Sequence, residues 1–298
     1  MKAVVITRFG GPEALEIQDV PAPQPGPDEI LVHVRSTALN RADLLQRQGR
    51  YAAPPGTAQN IPGLEFAGEV AKLGANASRW QTGDHVMGII GGGAHAELVK
   101  THQDAVCAVP AKLEWPAAGA VPEVFITAHD ALQQAGFKAG ENVLIHAVGS
   151  GVGLSATQLV RALGGHAFGT SRTPDKIELA KAFGLESGYE VPEPGALAGL
   201  SAFARSVTSG SGFDVVLDLK EAHISPPASK QWRCEAGSFS SVELLVVRLT
   251  SISIRYWASV YMSSARSCAR DRLRRRSQSP LRSHGKLYRC WPRELFNQ

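Results

Sequence analysis

Residues 142–163 have the sequence NVLIHAVGSGVGLSATQLVRAL, and this stretch decides the fold. The apolar run over 142–147 predicts a short buried strand, and residues 154–163 predict a helix that ends at a glycine pair. Glycines let a backbone approach a pyrophosphate, and a helix N-terminus offers free N–H groups and a positive dipole. The connecting turn is therefore a candidate dinucleotide site, although a tight β–α turn without a ligand has the same pattern. Its residues are Gly149, Ser150, Gly151, Val152 and Gly153.

The sequence on both sides of this turn alternates strands and helices. A helix is predicted over 122–135, and a strand over 166–169 follows the glycine turn. The next helix has Thr173 as its predicted N-cap and ends at Gly184, and a last strand covers 213–219. Alternating β and α units with short loops predict a doubly wound parallel sheet, the α/β class of fold.

The first 120 residues have a different pattern. Residues 30–35 alternate apolar and polar side chains, which predicts a strand, and residues 40–47 predict one short helix with Asn40 as its N-cap. Further short strands separated by glycines are predicted over 65–73, 85–90 and 94–100. Such short strands and frequent turns favour a compact, barrel-like antiparallel domain.

The end of the second strand of the parallel sheet indicates which dinucleotide binds. A site for NAD places Asp or Glu there to bind the ribose hydroxyls. The sequence here is Gly169-Thr170-Ser171-Arg172, without a carboxylate. Ser171, Arg172 and Lys176 can instead bind the 2′-phosphate of NADPH, and the alternative is that they are ordinary surface residues.

Composition limits the class of protein. The chain has 298 residues, 44% of them hydrophobic and 19% charged, which suits two packed domains rather than a disordered chain. No apolar run is long enough to span a membrane, and the run before Arg8 is too short for a secretory signal. Four cysteines do not make a disulfide framework, so we expect a cytoplasmic protein.

Charge divides the chain into two unlike segments. Residues 1–219 hold 16 Lys and Arg against 22 Asp and Glu, a net charge of −6, whereas residues 220–298 have 15 against 5, a net charge of +10. The glycines divide 28 to 2 across the same boundary. Together with the change of secondary-structure pattern after residue 121, this division predicts three segments: a β-rich domain over 1–121, an incomplete nucleotide domain over 122–219 and an unassigned basic tail over 220–298.

Three blocks of residues 1–219 resemble the quinone oxidoreductase (zeta-crystallin-like) branch of the medium-chain dehydrogenase/reductase superfamily. They resemble most its tumour-suppressor-induced type. The first block is NRADLLQRQGRY at residues 40–51. The second is PGLEFAGEV at 62–70, continuing to Gly74 and to GDHV at 83–86. The third extends from Gly140 through the glycine turn to Gln158.

The resemblance implies a GroES-like catalytic domain, a Rossmann domain and an active site in the cleft between them. It also implies NADPH-dependent quinone reduction and a homodimer, which the departure after residue 219 puts in question. Asn40 and Tyr51 would line the substrate side, and Thr127 would approach the nicotinamide. The pyrophosphate would be held by Ala147, Gly151, Val152 and Gly153. Ser171 and Lys176 would bind the 2′-phosphate.

The sequence departs from its relatives at three positions and lacks zinc ligands. Val148 and Ser150 stand where many relatives have small residues or glycine, and Val191 replaces a tyrosine near the adenosine phosphate. The zinc-dependent members of the superfamily have Gly-His-Glu where this chain has Gly-Leu-Glu at residues 63–65. The cysteines are also too widely spaced for a structural zinc site, so no metal is expected.

Hydride transfer without metal leaves the protein to orient the cofactor and the substrate and to provide a proton. Tyr51 is the best candidate for a proton donor or an oxygen-polarising group. The alternative is that water has this role and Tyr51 only shapes the pocket.

Other functions fit the same sequence, because reduction of enones or alkenals would use a similar site. A cofactor-binding protein without turnover also remains open. The basic segment 266–276 could contact nucleic acid but more simply is solvated, so neither a nucleic acid nor a membrane partner is expected.

The resemblance stops near Lys220, where relatives continue with a Gly-Gly pair and further β–α units. Residues 220–298 instead hold 12 Arg, 14 Ser, 3 Cys and 3 Trp, a composition typical of a shifted reading frame in GC-rich DNA. Only residues 242–249 have a pattern that could pair as a strand. We predict that this tail is a reading-frame artefact and that the chain as written is poorly soluble and weakly active or inactive.

Overall fold

The computed structural model describes residues 1–191 and 199–218, together with the backbone of Leu245–Arg248. The described residues fall into two compact units, one of Met1–Glu123 and one that begins at Val124. Among these residues, no helix has the length and apolar character that a membrane crossing requires. The predicted reading-frame artefact concerns residues 220–298, of which the structure describes only the backbone of Leu245–Arg248.

The first unit consists mainly of antiparallel strands. A two-stranded sheet pairs β1 (Lys2–Ile6) with β2 (Leu15–Asp19). A five-stranded sheet has the order β6-β3-β4-β5-β7. Its strands are β3 (Glu29–Ser36), β4 (Glu65–Leu73), β5 (His85–Ile89), β6 (Leu98–His102) and β7 (Val106–Ala108). Two short helices, α1 (Arg41–Arg47) and α2 (Trp115–Ala118), complete the unit.

Alternating side chains explain how this sheet makes a core. In β3, Ile30 and Val32 are fully buried, while His33 and Arg35 are exposed. Ile30 and Val32 pack with Phe66 of β4 and other apolar residues of the sheet, and burial of this kind contributes about 25 cal/mol per Å² of apolar surface. The strand predicted over 94–100 was misplaced: β6 begins at Leu98, because the preceding residues form a bend that makes only an isolated bridge to β1.

The second unit is a parallel α/β structure, and α3 (Pro122–Gln134) leads into it. Its five strands are β8 (Asn142–Ile145), β9 (His166–Ser171), β10 (Ser187–Glu190), β11 (Val215–Asp218) and β12 (Leu245–Arg248). The helices are α4 (Gly151–Ala162), α5 (Pro174–Ala182) and α6 (Leu200–Val207). The strand order is β10-β9-β8-β11-β12, and every pairing is parallel. The first strand, β8, therefore lies where the order reverses, which is where open α/β sheets bind ligands.

Two boundaries of the second unit differ from the sequence prediction. Helix α4 begins at Gly151, three residues before the predicted start, because the Ser150 side chain caps it by accepting the Gly153 N–H at 3.1 Å. Strand β11 begins at Val215, since the preceding residues form the turn after α6. The backbone of β12 pairs with β11 inside the segment 242–249 that the sequence singled out as a possible strand.

Candidate functional site

The turn between β8 and α4 is held in place by backbone hydrogen bonds. The Val148 N–H donates to the carbonyl oxygen of Thr170 in β9 at 3.0 Å, and the Ser150 N–H donates to the Ala147 carbonyl at 2.9 Å. Ala147 has a φ of 53°, in the left-handed region that a residue with a side chain seldom adopts. A non-glycine residue held in this conformation is typical of turns that function requires.

Two glycines of the turn leave no room for a side chain. A Cβ atom at Gly153 would lie 2.6 Å from the carbonyl oxygen of Val148 and 2.7 Å from that of Ala147. A Cβ atom at Gly149 would lie 2.7 Å from the Cβ of Lys176. Gly153 thus lets α4 pack directly on the turn, and Gly149 lets the first turn of α5 approach it.

The first turn of α4 offers unused donors. In the described part of the chain, no acceptor pairs with the backbone N–H groups of Gly151 and Val152, the first two residues of the helix. Gly151 is exposed, and the helix dipole adds positive potential at this end. The free N–H groups and the bare backbone of the glycines fit a pyrophosphate group.

The residues predicted to bind the 2′-phosphate lie at the end of β9 and in the first turn of α5. The aliphatic part of Lys176 packs against Gly149, so its ammonium group extends from the glycine turn. Ser171 ends β9 and is buried, and its hydroxyl oxygen accepts the Thr173 N–H at 3.3 Å. Arg172 follows as an exposed residue. Thr173 occupies the predicted N-cap position of α5, but its side chain makes no capping hydrogen bond.

The three positions at which the sequence departs from its relatives each have a structural role. The Val148 side chain is fully buried and occupies the space beside Gly169, where an added Cβ atom would lie 2.6 Å from the Cβ of Val148. Ser150 serves as the N-cap of α4. Val191 is buried, and its N–H donates to the Ser171 carbonyl at 2.8 Å, which fixes the end of β9.

His146, which follows β8, supports the glycine turn through its side chain and its backbone. Its Nδ1 lies 2.8 Å from the Thr170 hydroxyl, and its N–H donates to the Leu217 carbonyl of β11 at 2.9 Å. His146 therefore connects the end of β8 to both neighbouring strands. Only the strand order reveals this contact, because the three residues are far apart in the sequence.

In the first unit, Asn40 is held at both its backbone and its side chain. Its N–H donates to Asp43 Oδ2 at 2.7 Å, and its Nδ2 donates to Glu65 Oε1 at 2.8 Å. Asp43 is buried, and its Oδ1 accepts the Gly63 N–H at 2.9 Å. The N-terminus of α1 is thereby tied to the segment that leads into β4.

Three buried carboxyl groups lie around Asn40. Glu65 is 1% exposed, Asp43 5% and Glu123 7%, and the N–H of Glu123 donates to Glu65 Oε2 at 2.8 Å. Burial raises the pKa of Glu65, although hydrogen bonds from the Glu123 N–H and Asn40 partly oppose the shift. Burial and the charges of Glu65 and Asp43 raise the pKa of Glu123 to about 7. Glu123 is therefore a group that can exchange a proton near neutral pH.

The two remaining predicted site residues, Tyr51 and Thr127, lie on different elements. Tyr51 lies in the loop after α1 and is buried, at 5% exposure. Thr127 lies on α3 and is half-buried. Their roles toward substrate and nicotinamide remain predictions.

The sequence analysis did not identify the cluster of buried carboxyl groups formed by Asp43, Glu65 and Glu123. Glu65 stands between apolar residues in a strand that the pattern marks as buried, and Glu123 stands between Pro122 and Val124. The signal that could have indicated this group is a carboxylate within an apolar segment, because a buried charge needs hydrogen-bonding or charged partners. In the described residues, no three His, Cys, Asp or Glu side chains are grouped so as to hold a metal ion.

Known proteins resemble this chain along most of its described length. Residues 26–170 match the family model of the alcohol dehydrogenase GroES-like domain. The chain is 36% identical over 185 residues to the quinone oxidoreductase of Pseudomonas aeruginosa, which covers 61% of this chain and 56% of the relative. It is also 36% identical over 179 residues to the human quinone oxidoreductase, covering 59% and 54%. The chain thus spans about half the length of these curated relatives.

Solved structures agree with these sequence matches. The quinone oxidoreductase of Pseudomonas syringae has a TM-score of 0.63 at 30% identity, covering 73% of this chain and 66% of that one. The quinone oxidoreductase of Thermus thermophilus, which was also solved in complex with NADPH, has a TM-score of 0.67 at 27% identity, covering 88% and 84%. The fold is thus the mixed α/β fold of these structures, with a GroES-like domain and a parallel α/β unit. The chain belongs to the medium-chain dehydrogenase/reductase superfamily and, within it, to the quinone oxidoreductase branch.

Proposed function

We propose that this chain is an NADPH-dependent oxidoreductase that transfers a hydride to a quinone without a catalytic metal ion. The observation that carries the proposal is the turn between β8 and α4, with free N–H groups at Gly151 and Val152 and the lysine stem of Lys176 packed against Gly149. A relative of the same branch was solved with NADPH, which supports the choice of cofactor.

The residues at the end of β9 support NADPH over NADH. Ser171 and Arg172 stand where an NAD site would have a carboxylate, and such a carboxylate would repel the 2′-phosphate. The hydroxyl of Ser171 accepts the Thr173 N–H, which leaves its own hydrogen to donate to a phosphate oxygen. Lys176 adds a positive charge, and each charge-assisted hydrogen bond contributes about 1.5–3 kcal/mol.

Bound NADPH supplies the hydride, and the residues of this chain hold the reactants and control protons. The backbone of the glycine turn fixes the pyrophosphate, which restricts the position of the nicotinamide. On the substrate side, Asn40 offers an amide that can donate to a quinone oxygen. Tyr51 is our candidate for the group that polarises or protonates that oxygen as the quinone is reduced.

Cofactor titration tests the first half of the proposal. NADPH is expected to bind about 10–100-fold more tightly than NADH, as followed by nicotinamide fluorescence. Equal affinities for the two cofactors would contradict the assignment of Ser171, Arg172 and Lys176.

Turnover tests the second half. NADPH oxidation is measured with and without duroquinone. All ring positions of this quinone are substituted, so thiols do not add to the ring in a side reaction. A quinone-dependent rate that survives exhaustive EDTA treatment supports metal-free quinone reduction. A rate that appears only with an enone would move the protein to enone reduction, and loss of activity together with stoichiometric zinc would refute metal independence.

A further inference from the structure

The orientation of the Asn40 amide is set by Glu65. Both oxygens of Glu65 accept hydrogen bonds from N–H groups, one from Asn40 Nδ2 and one from the Glu123 backbone, each at 2.8 Å. A carboxylate only accepts hydrogen bonds, so the Asn40 amide must turn its NH₂ group toward Glu65. With the Asn40 N–H held by Asp43, both ends of this residue are fixed.

We propose that Glu65 is a positioning residue that fixes the Asn40 amide so that its second Nδ2 hydrogen donates to the quinone oxygen. The inference rests on the proposed function for the substrate role of Asn40. Glu65 itself is 1% exposed and acts through Asn40 rather than on the substrate. An amide without such a partner would rotate and present oxygen or nitrogen in turn, and a quinone oxygen can only accept.

The substitution Glu65→Gln changes the partner without changing its size. A glutamine has one acceptor and one NH₂ group, so it cannot accept from both Asn40 and the Glu123 N–H. If its oxygen keeps the Glu123 N–H, its NH₂ group faces Asn40 and favours a reversed Asn40 amide. We expect kcat/KM for duroquinone to fall by about 100-fold, with the KM for NADPH unchanged.

A double variant separates positioning from stability. In Asn40→Asp with Glu65→Gln, the hydrogen bond is restored in the opposite direction and the total charge is kept. The thermal midpoint should recover, but activity should not, because a carboxylate now faces the substrate. Recovery of both would overturn the proposal, as would a Glu65→Gln single variant with unchanged kcat/KM.

The matched control is Glu29→Gln. Glu29 also accepts a backbone N–H, from Gly26 at 2.7 Å, and pairs with Lys100 at 3.0 Å, but neither partner contacts Asn40. This variant is expected to lose a comparable hydrogen bond and to keep the kcat/KM of the parent chain.

A spectroscopic measurement keeps the inference testable if the proposed function fails. The chain has five asparagines, so selective ¹⁵N-asparagine labelling yields five side-chain NH₂ pairs, with Asn40 assigned by substitution. One Asn40 proton should show a downfield shift and slow exchange in the parent and in Glu29→Gln, and lose both in Glu65→Gln. A parent chain that neither binds NADPH nor oxidises it with duroquinone refutes the proposed function, whereas identical Asn40 signals in all three proteins refute the positioning role.

Discussion

The two units build their polar sites from different materials. The second unit uses main chain: free N–H groups at the start of α4 and glycines that admit no Cβ atom. The first unit uses buried side chains, with Asn40 held between Asp43 and Glu65 and with Glu123 beside them. A main-chain site depends on shape and is insensitive to pH, whereas a buried carboxyl site depends on its protons. The predictions below test that contrast.

The largest effect is expected from Gly153→Ala. Its Cβ atom would lie 2.6 Å from the Val148 carbonyl oxygen, so α4 must move away from the turn and its N–H groups lose their position. NADPH affinity, measured by fluorescence titration, should fall by more than about 100-fold. Gly10→Ala is the control, since the nearest atom to its Cβ would be at 3.4 Å. Unchanged affinity in the Gly153 variant would show that the turn does not hold the cofactor.

The pH dependence of stability distinguishes the first unit. The folded pKa of Glu123 is raised to about 7 from an ordinary value of 4.5, so the folded state holds the proton more tightly than the unfolded state. The stability from this proton is complete below about pH 4.5 and is lost as the pH rises from there through about 7, an effect of about 3 kcal/mol. Above pH 7, ionised Glu123 faces the carboxylates of Glu65 and Asp43.

Glu123→Gln should abolish this part of the pH profile. The variant is expected to unfold at a higher temperature than the parent at pH 8 and to lose less stability between pH 5 and 8. The exposed Glu114→Gln serves as the control and should follow the parent. Parallel thermal profiles for parent and Glu123→Gln would mean that Glu123 does not hold a proton in the folded protein.

Lys176→Ala tests a charged side chain that packs against Gly149 of the main-chain site. Losing its charge should remove most of the preference for NADPH over NADH, about 10–100-fold in affinity. Lys181→Ala lies on the same helix, where Lys181 pairs with Glu178, and should leave the ratio of the two affinities unchanged. If the ratio also survives in Lys176→Ala, discrimination lies with Ser171 and Arg172.

The smallest effect is expected from Ala147→Gly. A glycine adopts a φ of 53° without the steric cost that alanine has there, so this variant should be more stable by about 1 kcal/mol. Ala182→Gly in the exposed last turn of α5 should be less stable by about the same amount. Thermal unfolding of both variants checks the opposite signs, and a destabilised Ala147 variant would remove the strain argument.

The contrast between the two units also explains what the sequence could predict. Residues 142–163 carry their own signals of strand, glycine turn and helix, so the dinucleotide fold could be recognised locally. The capping role of Ser150 was missed, and α4 therefore starts earlier than predicted. The Asn40–Glu65 contact joins residues 25 positions apart, and the Glu123–Glu65 contact joins residues 58 apart. Contacts of that kind depend on strand pairing and helix placement, which no local pattern encodes.

The packing of Val148 against Gly169 has an evolutionary consequence. The two positions share one fixed space beside the glycine turn, so the size of one side chain limits the other. A methyl group added at position 169 would meet the Val148 side chain, so we expect it to be more harmful with valine at position 148 than with glycine there. We therefore expect epistasis between the two positions, in which a larger residue at 169 is tolerated better after position 148 has become smaller.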